Sequence, residues 1–83
     1  MKELVEFIAR AIVDEPSAVE VREIEGGDLE IHAGAADVGK LIGRRGRTAK
    51  ALRTVVRAAG GDDAPDVVIA GAEDVEGQES AAE

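Results

Sequence analysis

The apolar residues near the start of the chain repeat with a helical period. They stand at i, i+4, i+7 and i+8, namely at Leu4, Ile8, Ala11 and Ile12. This spacing predicts an amphipathic helix from about residue 2 to residue 13, and Pro16 follows it as a stop signal. Phe7 is the only aromatic residue of the chain and lies on the flank of this stripe, so we expect it to be packed in the core.

Two alternating segments joined by a glycine pair follow this helix. Residues 17–25 alternate apolar and polar side chains and shift phase at Ile24, which predicts a strand with a bulge near its end. Gly26 and Gly27 indicate a hairpin turn, because glycine adopts a positive φ without steric cost. A second strand is predicted by the alternation of Leu29, Ile31 and Ala33.

Two helices are predicted for the middle of the chain. Asp37 is expected to cap a short helix over residues 38–42, which Gly43 ends. A longer helix begins at Gly46 and stops at the Gly60-Gly61 pair. Its apolar stripe, whose spacing is typical of a core or protein contact rather than a ligand site, consists of Ala49, Leu52, Val55, Val56 and Ala59.

A short β-branched run, residues 67–70, is typical of a buried strand and completes the order α-β-β-α-α-β. This order predicts an α+β domain with helices packed on one face of a three-stranded mixed sheet. The hairpin strands pair antiparallel, and the helical crossover is long enough to bring the last strand in parallel. We assign this domain to residues 1–71 and predict an acidic, disordered tail over residues 72–83.

Charge is distributed unevenly along the chain. The 18 acidic and 10 basic residues give a formal net charge of −8. Residues 38–57 nevertheless contain seven basic residues and no acidic one, so this segment carries +7 and the rest of the chain −15. Because phosphate binding depends on the charges of the local surface, we interpret this segment as a polyanion-binding face rather than an ordinary solvated helix face.

Composition narrows the classes of function. The chain has no cysteine, which excludes disulfides and thiolate chemistry and fits a reducing cytoplasm. Charged residues interrupt the N-terminal apolar residues, so we expect neither a secretion signal nor a membrane span. We therefore expect a cytoplasmic location. His32 is the only histidine, and no spacing enforces a carboxylate pair. We therefore expect no enzyme activity, no metal and no cofactor.

The segment Gly43-Arg44-Arg45-Gly46, the GRRG loop, joins the two predicted helices. Glycine at both ends lets a ligand approach the backbone closely, and the start of the following helix attracts phosphate. Two glycines alone are better explained by a plain helix-helix turn. The loop arginines favour binding, and the basic residues continue along the second helix at Arg47, Lys50, Arg53 and Arg57.

The sequence from Val38 to Arg53, with Ile42 directly before the GRRG loop, resembles the KH-domain signature of aliphatic-Ile-Gly-x-x-Gly between two helices. The element order is similar to the bacterial type II arrangement of that fold. Over residues 2–71 the chain resembles the small single-KH RNA-binding proteins of bacteria, the KhpA family.

This resemblance implies that the GRRG loop clamps the backbone of about four nucleotides of single-stranded RNA. It also implies an apolar groove under the bases, made shallow and weakly selective by Ala49 where many KH domains have a larger aliphatic residue. The RNA-binding residues are thus expected to be Ile31, Lys40, Leu41, Ile42, Gly43, Arg44, Arg45, Gly46, Arg47 and Lys50. The implied role is post-transcriptional regulation or RNA chaperoning. The implied protein partner is a second copy or a larger KH-containing protein of the Jag/EloR type.

Two other functions remain open at this level. A helix-turn-helix-like DNA reader would insert residues 44–57 into a major groove, although the predicted strands argue against it. A KH-fold module that only dimerises or acts as a scaffold for a protein partner would tolerate loss of the loop arginines. A nucleotide-binding P-loop is excluded, because no GxxxxGK[ST] is present. The single aromatic residue disfavours RNA-binding folds that stack bases on aromatic side chains.

Overall fold

The computed structural model describes residues 1–72, and its elements follow the predicted order. The helices and strands are α1 (Lys2–Ile12), β1 (Glu20–Glu23), β2 (Leu29–His32), α2 (Ala35–Ile42), α3 (Arg47–Gly60) and β3 (Val67–Ile69). Ala72, which the sequence analysis placed in the tail, is buried with the core residues at 6% exposure. The prediction for residues 73–83 lies outside the described residues.

The three strands form one mixed sheet in the order β1-β2-β3. β1 runs antiparallel to β2 and β3 runs parallel to it, as predicted. Burial alternates along the strands, with Val21, Ile31 and Ile69 buried and the intervening Val68 exposed. One face of the sheet is therefore covered and carries the core, which confirms the predicted α+β architecture.

β1 is shorter than predicted. Residues 16–18 form a 3-10 turn whose first residue, Pro16, has a fixed φ, and the strand begins only at Glu20. Its pairing with β2 is continuous from Glu20 opposite His32 to Glu23 opposite Leu29. The predicted bulge is therefore wrong, and the phase shift at Ile24 marks the end of the strand.

The buried face of α1 is centred one residue later than the sequence analysis placed it. Val5 and Ala9 are fully buried, while Ile8 is only partly buried against the core. Phe7 is 73% exposed, so its predicted place in the core is wrong. Apolar residues occupy two adjacent rows of this helix, and the row 5-9-13 faces the core. Phe7 and Ala11 consequently lie on the outer side.

The apolar stripe of α3 is confirmed only in part. Ala49, Leu52 and Val56 are buried, as their spacing indicates. Val55 is 44% exposed, and Ala59 is exposed as well. The buried row therefore has the spacing i, i+3, i+7, and the other two apolar residues fall beside it.

Asp37 does not cap α2, which was its predicted role. α2 begins two residues before it, at Ala35, with Gly34 in the capping position. The carboxylate is instead 4% exposed and accepts backbone N–H groups from Asp14 at 3.2 Å and from Glu15 at 3.1 Å. This buried side chain thus joins the segment after α1 to the first turn of α2, and so fixes the helix that leads into the GRRG loop.

Candidate nucleic-acid interface

The GRRG loop makes a tight turn between α2 and α3. Gly43 and Gly46 both have φ of 74°, in the region that favours glycine. Between them Arg45 has φ of 56° and is the only non-glycine residue among residues 1–72 with a positive φ. The Gly46 N–H donates to the Gly43 carbonyl at 3.2 Å and closes the turn. Left-handed backbone at a non-glycine residue costs about 1 kcal/mol or more and is concentrated at functional sites.

The glycine at position 43 is required by packing. A Cβ atom placed there would lie 2.8 Å from the backbone nitrogen of Thr48, and still closer to the Thr48 side chain. Thr48 is in the first turn of α3, so the end of α2 rests directly against the start of α3. Gly43 therefore sets the angle at which the two helices meet, whether or not a ligand is present.

The first turn of α3 presents backbone donors beside the loop arginines. No side chain of residues 1–72 caps this helix, whose capping residue is Gly46. The Arg47 N–H donates to the Arg44 carbonyl, whereas the next N–H groups of this turn lack partners within the helix and carry a partial positive charge. Arg44 and Arg45 are exposed on the turn immediately before them. The arrangement suits an anion with several acceptor oxygens, such as a phosphate group.

An open groove of about 400 Å³, the basic groove, continues from the loop along α3. It is lined by Arg45, Gly46, Lys50, Arg53, Thr54 and Arg57. None of these lining residues is acidic. From Gly46 onward the residues stand at i, i+4, i+7, i+8 and i+11, so they share one side of the helix. The loop and this groove thus form one basic surface.

Arg53 has a structural partner within the basic groove. Its Nε donates to the backbone carbonyl of Val67 at 3.0 Å, and its side chain is partly buried. The guanidinium therefore links α3 to β3, and this donor is not available to a ligand. Arg57 lies one turn further along the groove and is exposed.

Lys40, which was predicted to bind RNA, contacts two carboxylates of the protein in this structure. Its ammonium group contacts the Asp14 carboxylate and lies 3.8 Å from Asp37 Oδ1. The hydrogen bond to Asp14 is the largest cause that raises the pKa of Lys40 above its usual range. The structure thus places Lys40 with the aspartates that join α1 to α2, whereas Arg47 and Lys50 are exposed beside the loop.

The three apolar residues expected under the bases are core residues. Ile31, Leu41 and Ile42 each have 0% exposure. They belong to the cluster that fills the space between the helices and the sheet, so they present no surface to a base in this conformation. The structure brings together the loop, Arg47 and Lys50, and leaves Lys40 and these three residues outside that surface.

Thr54 was not predicted from the sequence to be near the site, and Arg57 was predicted only as part of the basic face of the second helix. Thr54 and Arg57 also line the basic groove. Their spacing of four and seven residues from Lys50 is the helical signal that identifies them.

Residues 1–72 contain no group of three or more metal-ligating side chains. Within the same residues, no helix has the length and apolarity needed to cross a bilayer.

The order α-β-β-α-α-β, with a GxxG loop between the second and third helices, defines a type II KH-like domain. A family model described as "KhpA/KhpB, KH domain" matches residues 2–70. The chain therefore belongs to the KhpA/KhpB family of KH-domain proteins.

Curated relatives agree with this assignment. The chain is 49% identical over 72 residues to the RNA-binding protein KhpA of Clostridium perfringens, covering 83% of this chain and 96% of the relative. It is 52% identical over 62 residues to the protein of that name from Caldanaerobacter subterraneus, covering 71% and 83%. The match to the Halalkalibacterium halodurans protein is 53% over 62 residues, covering 71% and 82%. These relatives are not named as enzymes, and the family is not an enzyme family. No solved structure matches the chain.

Proposed function

We propose that this chain binds single-stranded RNA and that the GRRG loop holds the RNA backbone. The observation that carries the proposal is the pair of exposed arginines, Arg44 and Arg45, on a strained turn beside the uncapped start of α3. The printed names of the relatives, which are RNA-binding proteins, support the choice of RNA. A KH loop of this kind clamps about four nucleotides.

Each part of the loop has a role in the proposed mechanism. Gly46 has no Cβ, so it leaves room for a phosphate to approach the N–H groups that follow Arg47 in the first turn of α3. Arg44 and Arg45 donate charge-assisted hydrogen bonds to phosphate oxygens. Arg47 and Lys50 add positive charge on the adjoining turn of the helix.

We expect low sequence specificity. Phosphate contacts position a strand without reading its bases. The apolar residues expected under the bases are fully buried, and Ala49 is a small side chain at 1% exposure. A protein of this kind serves post-transcriptional regulation or RNA chaperoning better than recognition of one sequence. We place it in the cytoplasm, in line with the absence of cysteine.

We further propose a protein partner, either a second copy of this chain or a larger KH-containing protein of the Jag/EloR type. The support is the scope of the family model, which covers both KhpA and KhpB. The scaffold function makes a different prediction, because it does not depend on the loop arginines.

Fluorescence anisotropy with labelled single-stranded RNA tests the loop. The variant Arg44→Asp/Arg45→Asp is compared with Arg10→Asp/Arg22→Asp, which changes net charge equally at two arginines outside the loop. Circular dichroism establishes that both variants fold. We expect the loop variant to weaken binding about tenfold or more, and the control to stay near wild type.

The alternatives give different results in the same experiment. Equal RNA binding by the loop variant and the control would remove the loop from the site. Tighter binding to duplex DNA than to RNA would favour the helix-turn-helix function. Wild-type protein that binds neither nucleic acid would favour the scaffold function.

A further inference from the structure

The basic groove extends well beyond the loop that holds four nucleotides. We propose that it binds the continuation of the same RNA strand, with Arg57 as a phosphate contact at its far end. The inference rests on the proposed function and deepens it, because it assigns a longer footprint and one further binding residue.

The geometry gives the groove room for several nucleotides. Gly46, Lys50 and Arg57 lie on one side of α3 and line the same groove. Eleven residues of α-helix separate Gly46 from Arg57, which is a rise of about 16 Å. For scale, one strand of B-form nucleic acid rises about 3.4 Å per nucleotide, so this length corresponds to about five stacked nucleotides.

Two cations of the basic groove, on Lys50 and Arg57, are exposed to a ligand. Lys50 and Arg57 make no ion pair with a carboxylate of residues 1–72. Elsewhere on the described surface the pattern differs, since Arg10 pairs with Glu6 and Arg22 pairs with Glu20. A phosphate that binds in the groove therefore displaces counterions rather than a protein carboxylate, which makes binding depend on salt.

Continuity with the loop favours an RNA strand as the occupant. Arg45 and Gly46 belong both to the GRRG loop and to the lining of the groove. A strand that leaves the loop on this side enters the groove directly and meets no acidic lining residue. A linear polyanion matches a linear row of cations, whereas a single phosphate group would fill only one end of it.

The test compares two oligouridylates, one of about four nucleotides, the footprint of the loop, and one about three times as long. Affinity is measured over a range of salt concentrations for wild type, Arg57→Gln and the matched control Arg10→Gln. The two variants carry the same substitution and the same net charge, and both residues are exposed. With the longer RNA we expect Arg57→Gln to reduce the slope of log affinity against log salt by about 0.7, the value of one phosphate contact on a single strand.

With the shorter RNA, both variants should match wild type. The greater number of binding registers on a longer RNA affects all three proteins equally, so the difference between the variants isolates the contact at Arg57. In an NMR titration, the Nε–Hε resonance of Arg57 should shift with the longer RNA and stay in place with the shorter one.

The experiment distinguishes a wrong extended footprint from a wrong assignment of RNA binding to the loop. If Arg57→Gln and Arg10→Gln behave alike on the longer RNA and the Arg57 resonance does not move, the extended footprint is wrong, while the loop site stands on its own variant. If wild type binds neither RNA, the proposed function and this inference fall together. A resonance shift with an acidic peptide but not with RNA would assign the groove to a protein ligand instead.

Discussion

Two turns of the chain, the hairpin turn and the GRRG loop, contain glycines with positive φ but differ in their surroundings. In the hairpin turn Gly26 and Gly27 have φ of 84° and 87°, and a Cβ atom on either would meet nothing within 4 Å. In the GRRG loop Gly43 has a similar φ of 74°, but an added Cβ would collide with Thr48. The first turn needs glycine only for its backbone angle. The second needs it also because two helices meet there.

The two turns also differ in the charge of the residues within and around them. The hairpin turn is flanked by Glu25 and Asp28, whereas Arg44 and Arg45 lie inside the loop. A polyanion is repelled by the first turn and attracted by the second. A glycine pair in a sequence thus identifies a turn, and the residues within and around it indicate whether that turn attracts or repels a polyanion.

The largest expected effect is the loss of stability when an alanine replaces the tightly packed glycine of the GRRG loop. Gly43→Ala adds left-handed strain and a clash with the start of α3, so we expect it to lower the free energy of unfolding by about 3 kcal/mol. Gly26→Ala adds only the strain, about 1 kcal/mol. Urea unfolding of the two variants measures the difference. Equal losses would show that the contact between Gly43 and Thr48 relaxes without cost.

Each turn also has an aspartate that supports the chain beside it. Asp37 is buried and accepts two backbone N–H groups, while Asp28 accepts the Asp66 N–H at 3.1 Å in an exposed position. We expect Asp37→Ala to cost about 2 kcal/mol, because it removes charge-assisted bonds to a buried acceptor, and Asp28→Ala less than about 1 kcal/mol. Thermal unfolding at one pH ranks them, and the reverse order would contradict the anchoring role of Asp37.

The smallest effect concerns the loop backbone at Arg45. Arg45→Gly and Arg45→Ala remove the same side chain, but only alanine keeps the left-handed strain. We expect the glycine variant to be more stable than the alanine variant by about 1 kcal/mol. Both should bind RNA equally weakly, since both lack the guanidinium. If the alanine variant retains wild-type affinity, Arg45 contributes backbone geometry rather than charge.

The order of elements was predictable because each has a local signal. The hairpin glycines, the stripe of α3 and the β-branched run near residue 67 all specify their elements through neighbours in sequence. The position of Phe7 was not predictable in this way. α1 has two adjacent apolar rows, and only the packing of Val5 and Ala9 against the rest of the core determines which one is buried.

In the candidate site, too, some features follow from local sequence and others depend on long-range packing. The GRRG loop and its exposed arginines follow from the sequence pattern. The pairing of Lys40 with Asp14 does not, because these residues are 26 positions apart and meet only when α1 and α2 pack. Burial of Ile31, Leu41 and Ile42 depends likewise on the assembled core. Local sequence thus identifies the loop, and long-range contacts decide which of its neighbours can reach a ligand.

The hydrogen bond from Arg53 to the Val67 carbonyl has a consequence for solubility. β3 is an edge strand of only three residues, and its outer side offers backbone groups to which a strand of another molecule can add. The guanidinium occupies one of these acceptors at 3.0 Å and places a positive charge on the edge. The helix that carries the basic groove therefore also protects the sheet against edge-to-edge aggregation, and replacement of Arg53 removes both the bond and the charge.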